Sequence, residues 1–203
     1  MPDRIDLPPP DWMGGPLFEL TLSHRRSVRE FQARDLTRAE IGQLLWAAQG
    51  ITDKASGFRA APSAGALYPL EIDAVTRDGV FRYQPRGHAL IQRDGKERDG
   101  KDIRAELARA ALGQECVANA PCVFAITSVA VRTTRKYGSR GIRYIHIEAG
   151  HAAQNLLLQA QALGLAGVPV GAFDDDAVAR VLRIAREEEP LYLLPVGWPL
   201  RPA

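Results

Sequence analysis

The spacing of hydrophobic residues predicts several helices, of which the clearest begins at Thr37. Thr37 and Glu40 form a capping box, in which each side chain binds a backbone N–H at the helix start. The hydrophobic positions that follow lie three or four residues apart, as a buried helical stripe requires, and Gly50 ends the pattern. The same spacing predicts further helices over residues 17–24, 101–112, 149–163 and 177–184.

Other runs have the hydrophobic patterns of β-strands. From Leu70, hydrophobic and polar residues alternate, as in a strand with one buried face, and Asp78-Gly79 is a turn signal before a return strand. Residues 122–126 are continuously apolar, which is typical of a central strand buried on both faces. A similar run over residues 191–196 predicts the last strand of the chain.

The remaining segments have little periodicity. Residues 1–16 contain five prolines and two glycines, so we predict an N-terminal arm without a helix of its own. Residues 51–65 are predicted to be a loop, and residues 168–173 a short strand or a loop. We therefore expect one α+β domain over residues 17–203, with about four strands, mostly antiparallel, and several helices.

Composition excludes some classes of function. The 203 residues include 26 basic and 24 acidic side chains, a near balance that argues against a nucleic-acid binder. No apolar run is long enough to span a bilayer and no signal segment is present, so a soluble, cytoplasmic protein is expected, with no membrane partner. Cys116 and Cys122 are too few for a disulfide framework and are expected to be buried thiols.

Several familiar sites have no matching motif. The chain has neither the glycine-rich dinucleotide-binding motif nor a P-loop, and no nucleophile elbow of a serine hydrolase. His146 and His151 are five residues apart, which places them about 140° apart around a helix, so they cannot share a metal ion from one face. No metal site is predicted.

Arg25, Arg26 and Arg29 form a dense basic cluster around Ser27. Charged residues after a helix usually form a solvated face. These three guanidinium groups repel one another, however, unless an anion or a carboxylate lies among them. A phosphate accepts several such donors at once, and the Ser27 hydroxyl or amide can complete its binding site.

A second candidate is the segment from Pro62 to Pro69, in which residues 63–66 are all small. The simplest interpretation is a turn before the strand that begins at Leu70. Small side chains would also let the backbone lie against a flat ring, and Tyr68 could cover the edge of that ring.

Taken together, these segments resemble the nitroreductase superfamily, from about residue 17 to residue 199. Two later blocks resemble its SagB/ThcOx-type dehydrogenase branch, whose known members oxidise azolines to azoles in peptide natural products. The blocks that carry the resemblance are residues 25–31, 44–51, 62–71, 136–144, 148–156, 171–174 and 195–199.

The resemblance implies a three-layer nitroreductase-like fold, with a central sheet flanked by helices, and an intertwined homodimer with FMN at two interface sites. Arg25 and Ser27 would hold the phosphate, with Arg26 assisting, and Arg29 would reach the pyrimidine edge of the flavin. Arg201 is a further candidate for the phosphate.

For the flavin ring, the resemblance implies contacts from both subunits. Gly171 and Ala172 would lie by the reactive N5 atom, and Lys136 and Tyr137 would act in proton removal. The residues that would line the ring from the other subunit are Pro62, Ser63, Ala64 and Gly65. Many nitroreductases carry an asparagine that touches the flavin at the position of Ala66.

Two substrate classes remain open for an FMN-dependent oxidoreductase. One is the NAD(P)H-driven reduction of nitro, quinone or similar small molecules, and the other is azoline oxidation in peptide maturation. The chain has no obvious extra segment to hold a leader peptide, which favours the reductase. A protein that stores FMN without turnover is an alternative of another class.

Overall fold

In the computed structural model, which describes residues 3–93 and 101–201, a seven-stranded antiparallel sheet forms the middle layer. The helices are α1 (Phe18–His24), α2 (Arg38–Gln49), α3 (Arg104–Ala110), α4 (Glu115–Asn119), α5 (Val131–Tyr137), α6 (Arg140–Ala162) and α7 (Asp175–Leu182). The strands are β1 (Arg4–Asp6), β2 (Ile51–Asp53), β3 (Phe58–Arg59), β4 (Leu70–Thr76), β5 (Gly79–Gln84), β6 (Ala89–Gln92), β7 (Cys122–Val129), β8 (Ala166–Gly167) and β9 (Glu188–Gly197).

The strand order is β1-β6-β5-β4-β7-β9-β8, and every neighbouring pair is antiparallel. Helices α2 and α6 pack on one face of the sheet, and α3, α4 and α7 pack on the other. Strand β7 is apolar on both sides for this reason: Phe124 and Ile126 face the first layer, and Val123 and Ala125 face the second. The predicted α+β class, with a mostly antiparallel sheet between helical layers, is confirmed.

Local signals placed one helix start correctly and a second one to within two residues. The Thr37 backbone N–H donates to Glu40 Oε2 at 2.6 Å, and the Glu40 N–H donates to Thr37 Oγ1 at 3.2 Å, so the capping box forms as predicted. The Asp174 side chain accepts from the Ala177 N–H at 2.7 Å, which starts α7 two residues earlier than the predicted bound.

The prediction of about four strands was wrong. Residues 51–65 are not one loop, because β2 and β3 pair there as a short two-stranded sheet. Residues 4–6, within the predicted arm, form an edge strand against β6. These strands have two or three residues, too few for hydrophobic alternation to show in the sequence.

Helix α6 is longer than the predicted helix over residues 149–163. It begins at Arg140. The first half of the helix buries only a narrow stripe and presents Arg143 and His146 on its exposed side, so the hydrophobic pattern did not reveal it. Helix α5, just before it, has Thr133 as its one buried residue, which left no apolar stripe to detect. Within the described ranges, no helix is both long and apolar enough to cross a membrane.

A buried ionic network joins the sheet to the start of β9. Asp73 is fully buried and receives two bonds from Arg82, at 2.6 and 2.9 Å, and one from Arg93 at 2.7 Å. Arg82 also donates to Glu188 Oε2 at 2.8 Å. Because the carboxylate of Asp73 is shared by two guanidinium groups, removing its charge leaves both without their main partner.

We expect Asp73→Asn to lower the free energy of unfolding by about 3–5 kcal/mol, as measured by urea denaturation. Asp6→Asn is the matched control: it breaks the exposed ion pair between Arg4 and Asp6 and is expected to cost less than about 1 kcal/mol. Equal effects of the two substitutions would contradict a structural role for the buried network.

Candidate functional site

The predicted arginine cluster lies at the end of α1. Arg25 is half-buried at the helix end, whereas Arg26 and Arg29 are exposed. Within residues 3–93 and 101–201, none of these three guanidinium groups pairs with a carboxylate. Arg26 donates to the carbonyl oxygens of Ser23 and Arg25, both at 2.9 Å, so its side chain folds back onto its own turn. Arg25 and Arg29 are therefore the two cations available to an anion.

The fold brings the C-terminal end of the chain to this cluster. Ser27 forms a bridge with Gly167 at the edge of the sheet. The Leu200 N–H donates to the Glu30 carbonyl oxygen at 3.1 Å, so Arg201 follows a residue that is bonded to the arginine-rich segment. The backbone at residues 200–201 therefore runs beside the segment that carries the arginine cluster.

The segment from Pro62 to Pro69 is a tight turn of unusual backbone conformation. Gly65, Ala66 and Tyr68 have φ angles of 64°, 53° and 47°, in the left-handed region that favours glycine. The turn is held by Ser63, whose Oγ accepts from the Tyr68 N–H at 2.9 Å and whose carbonyl oxygen accepts from Ala66 at 3.0 Å. Such strain outside glycine is concentrated at functional sites, where the surrounding structure enforces it.

Lys136 and Tyr137, at the end of α5, lie directly against this turn. A Cβ atom at Gly65 would be 2.7 Å from Tyr137 Oη and 3.0 Å from Lys136 Nζ, so any other residue there would have to displace the ends of these two side chains. The Tyr137 ring packs edge-on against Tyr144 with ring centroids 5.2 Å apart, which fixes its orientation. The predicted proton-transfer pair and the predicted ring-binding turn are therefore neighbours in one chain.

Gly171 and Ala172 lie in an exposed segment between β8 and α7. In the described part of the chain, neither of their amide groups donates to a protein acceptor, whereas the Ala172 carbonyl oxygen accepts from Gln114 at 2.8 Å. Gly171 lies against Tyr192, whose ring would be 3.5 Å from an added Cβ. The segment therefore offers free backbone donors on a fixed support.

The two groups of predicted residues occupy opposite ends of the sheet. The turn before β4 and helix α5 lie at the Val129 end of β7, because Leu70 pairs with Ser128. The arginine cluster lies at the Cys122 end, because Gly167 and Cys122 both pair with Val196. At about 3.3 Å per residue, the ends of β7 are roughly 23 Å apart, so one chain does not bring the phosphate cluster to the turn.

Sequence reasoning missed one residue beneath the turn. Glu148, on α6, is only 2% exposed, and its Oε1 atom has no hydrogen-bond partner among the described residues. Burial raises the pKa of Glu148 to about 7, although the Ser63 hydroxyl, the charge of Arg59 and the amide of Gln49 act in the opposite direction. A buried, incompletely paired carboxyl next to a strained turn is a candidate functional group.

A signal for Glu148 was present in the sequence. It lies three residues after Ile145 and four before Ala152, both buried, so it occupies the apolar stripe of its helix. A charged residue at such a position is rare unless it is paired or functional.

Comparisons with known proteins agree on one family. The sequence model of the nitroreductase family matches residues 22–198. A Methanocaldococcus jannaschii protein named as a nitroreductase is 46% identical over 186 residues, which are 89% of this chain and 90% of that protein. A crystal structure from Ralstonia eutropha JMP134, also named as a nitroreductase, has a TM-score of 0.86 at 27% identity and covers 98% of this chain and 90% of its own.

A more distant structural neighbour is a chain of the E. coli microcin synthetase McbBCD complex, solved with truncated pro-MccB17 bound. Its TM-score is 0.71 at 25% identity, and the match covers 82% of this chain and 66% of that one.

The raised pKa of Glu148 predicts a pH-dependent stability. The pKa is about 7 in the folded protein against 4.5 for the free group, so the folded state gains from the bound proton at low pH, and this gain is lost as the pH rises to 7. Between pH 5 and pH 8, the wild type should lose about 2 kcal/mol more unfolding free energy than Glu148→Gln, measured by urea denaturation. Parallel pH profiles of the two proteins would contradict this.

Proposed function

The chain belongs to the nitroreductase family, a flavin-dependent family of oxidoreductases, and from this premise we propose that it is an FMN-dependent reductase of small molecules with NAD(P)H as electron donor. The observation that carries the proposal is a set of unpaired donors on the exposed surface. Arg25 and Arg29 have no carboxylate partner in the described ranges, and the amides of Gly171 and Ala172 have no protein acceptor there. These are the donors that a phosphate and a polar ring edge would need.

In this proposal the arginine cluster holds the polar parts of FMN. Arg25 and the Ser27 hydroxyl bind the phosphate, and Arg201 adds a second cation from the C-terminal side. Arg26 acts through the turn that its guanidinium stabilises. Arg29 reaches the pyrimidine edge, where a positive charge stabilises the negative charge of the reduced ring.

FMN, when bound, would accept and donate a hydride at its N5 atom. The backbone N–H groups of Gly171 and Ala172 would donate to that atom, and neither has a protein acceptor in the described structure. The turn of Pro62, Ser63, Ala64 and Gly65 offers a bare backbone surface to the ring. Lys136 Nζ and Tyr137 Oη lie next to Gly65 and would hold or move a proton at the edge of that surface.

We further propose that each FMN lies between two copies of this chain. The phosphate cluster and the turn lie at opposite ends of β7, so a site that uses both takes them from different subunits. An exposed apolar surface on the N-terminal segment and α1 is available for such an interface. Its large residues are Trp12, Met13, Leu17, Phe18, Leu20 and Leu22.

A second candidate is azoline oxidation in peptide maturation. Two observations favour it: the resemblance of residues 136–144 and 148–156 to the SagB/ThcOx-type branch, and the structural similarity to a chain of a microcin synthetase complex. In this reaction Lys136 and Tyr137 would remove the ring proton while the flavin accepts the hydride.

The first experiment is an absorbance spectrum of the purified protein, before and after anaerobic NADPH or NADH. The reductase predicts flavin bands that nicotinamide bleaches. Flavin that resists nicotinamide but is bleached by a thiazoline peptide would favour the dehydrogenase, and resistance to both would indicate a storage protein. A colourless protein that takes up no added FMN would overturn the proposed function.

The shared site is tested by mixing two defective chains. We expect Arg25→Ala and Gly65→Ala each to lose FMN, the first through the phosphate and the second because its Cβ displaces Tyr137 and Lys136. After the two are unfolded together and refolded, half of the dimers are mixed and each holds one intact site, so about a quarter of the wild-type flavin should return.

Gly57→Ala is the matched control for Gly65. Gly57 has a φ of 72°, so alanine there introduces a backbone strain similar to that at Gly65, but the added Cβ meets nothing within 4 Å. FMN binding should therefore survive. A mixture that binds no more FMN than its parents would contradict a site shared between subunits.

A further inference from the structure

The N-terminal segment forms one wall of a cleft that contains none of the residues assigned to FMN. The cleft has a volume of about 850 Å³, within the range of sites for small organic molecules. Its other walls are helix α2, the tip of the β2–β3 hairpin and the turn between β5 and β6. We call it the arm cleft, and the side chains that give it its chemistry are those of Trp12, Trp46, Lys54, Tyr83, Arg86 and His88.

Hydrogen bonds hold the N-terminal wall of the arm cleft in place. The Leu7 N–H donates to the His88 carbonyl oxygen at 3.1 Å. Farther along the chain, the Asp11 N–H donates to Gln43 Oε1 at 2.8 Å, and Gln43 Nε2 donates to the Asp11 carbonyl oxygen at 3.0 Å. Because Gln43 is buried on α2, these bonds tie the segment to the helix that forms the next wall. The cleft is therefore a formed feature of the fold.

The wall between β5 and β6 has a strained backbone. His88 has a φ of 43°, in the left-handed region that favours glycine. Its ring is fixed by Tyr83, which is buried and whose Oη atom lies 2.9 Å from His88 Nδ1. Residues other than glycine keep such a conformation where the surrounding structure enforces it, and these places are concentrated at ligand sites.

Aromatic side chains give the arm cleft flat apolar surfaces. The rings of Trp12 and Trp46 have centroids 5.4 Å apart and planes inclined at 50°, so they form an open angle rather than a closed stack. Trp12 remains 65% exposed. The indole N–H of Trp46 has no acceptor among the described residues. Surfaces of this kind suit a planar aromatic ring, which gains from edge-on and offset contacts with other rings.

Two cationic side chains line the arm cleft. Lys54, at the hairpin tip, and Arg86, in the β5–β6 turn, are exposed, and neither pairs with a carboxylate within residues 3–93 and 101–201. In the same ranges no carboxylate lines the cleft. The carboxylates next to lining residues in the sequence, those of Asp6, Asp11 and Asp53, are occupied by an arginine or by backbone N–H groups. The cleft therefore offers two unopposed positive charges to an anion.

We propose that the arm cleft is a second binding site, for a planar aromatic molecule that carries one carboxylate group. The ring lies against Trp12 and Trp46. The carboxylate points toward solvent, where the exposed Lys54 and Arg86 side chains donate to it. This inference goes beyond the proposed function and does not depend on it, because the cleft shares no residue with the proposed FMN site.

The test is isothermal titration calorimetry of the full-length protein, with and without FMN, using 2-naphthoate and its neutral isostere 2-naphthamide. The amide keeps the ring and removes the charge, so we expect its Kd to be about tenfold higher. The double variant Lys54→Gln, Arg86→Gln should bind 2-naphthoate about tenfold more weakly and 2-naphthamide as the wild type does. The double variant Lys101→Gln, Arg109→Gln is the matched control, since it removes two exposed cations that do not line the cleft, and it should bind both compounds normally.

Trp12→Ala tests the aromatic wall. It removes one ring surface and should weaken the binding of both compounds about fivefold. Phe18→Ala is its control: Phe18 is 63% exposed and belongs to the same apolar surface as Trp12, but it does not line the cleft. Both compounds should bind to Phe18→Ala as they do to the wild type.

Three results would overturn the inference. Loss of 2-naphthoate binding on addition of FMN would place the compound in the flavin site. An affinity that falls as the protein concentration rises would show that a second copy of the chain occupies the cleft. Equal affinities of the wild type and the Lys54→Gln, Arg86→Gln variant for 2-naphthoate would remove the cations from the site. A protein that takes up no FMN but shows the expected 2-naphthoate pattern would overturn the proposed function alone.

Discussion

The pairing of β7 with β4 on one side and β9 on the other fixes the positions of both halves of the candidate site. The strand is buried on both faces, so its register is set by packing from two helical layers at once. Helix α5 and the turn at residues 62–69 lie at the Val129 end of β7, and the arginine cluster lies at the Cys122 end. The distance between the two groups is therefore a consequence of sheet geometry rather than of flexible side chains.

Two buried carboxyl groups, those of Asp73 and Glu148, differ in how far nearby cations balance their charge. The difference distinguishes a group that supports the fold from one that is a candidate for function. Asp73 is bound by two guanidinium groups with short bonds, so its charge is balanced and it supports the fold. One oxygen of Glu148 has no partner among the described residues, and the nearby Arg59 donates to Gln49 and acts on Glu148 only through its charge. An ionised Glu148 therefore lowers the stability of the fold at neutral pH. A residue that destabilises the fold and adjoins a strained turn is better explained by the site than by packing.

The turn at residues 62–69 illustrates how the site depends on its supports. The left-handed conformation of Ala66 and Tyr68 is enforced by Ser63, and by Arg132, which donates to the Tyr68 carbonyl oxygen at 3.2 Å. Asparagine tolerates this region better than alanine does, so Ala66 relies on these neighbours to hold its backbone. The close fit of Gly65 against Lys136 and Tyr137 depends on these contacts, which hold the backbone in place.

The sequence by itself determined the features that depend on neighbours along the chain: the capping box at Thr37, the buried strand from Cys122 and the glycine-bearing turn before Leu70. It also indicated the family, because the matching blocks are local motifs. It did not reveal β2, β3 or the first half of α6, whose short or narrow patterns carry too little hydrophobic signal. Only the tertiary structure decided that the arginines and the turn lie apart, that Lys136 and Tyr137 meet Gly65, and that Glu148 lies beneath Ser63. These are contacts between distant segments, and their geometry arises from the packing of helices on a sheet, which no local pattern encodes.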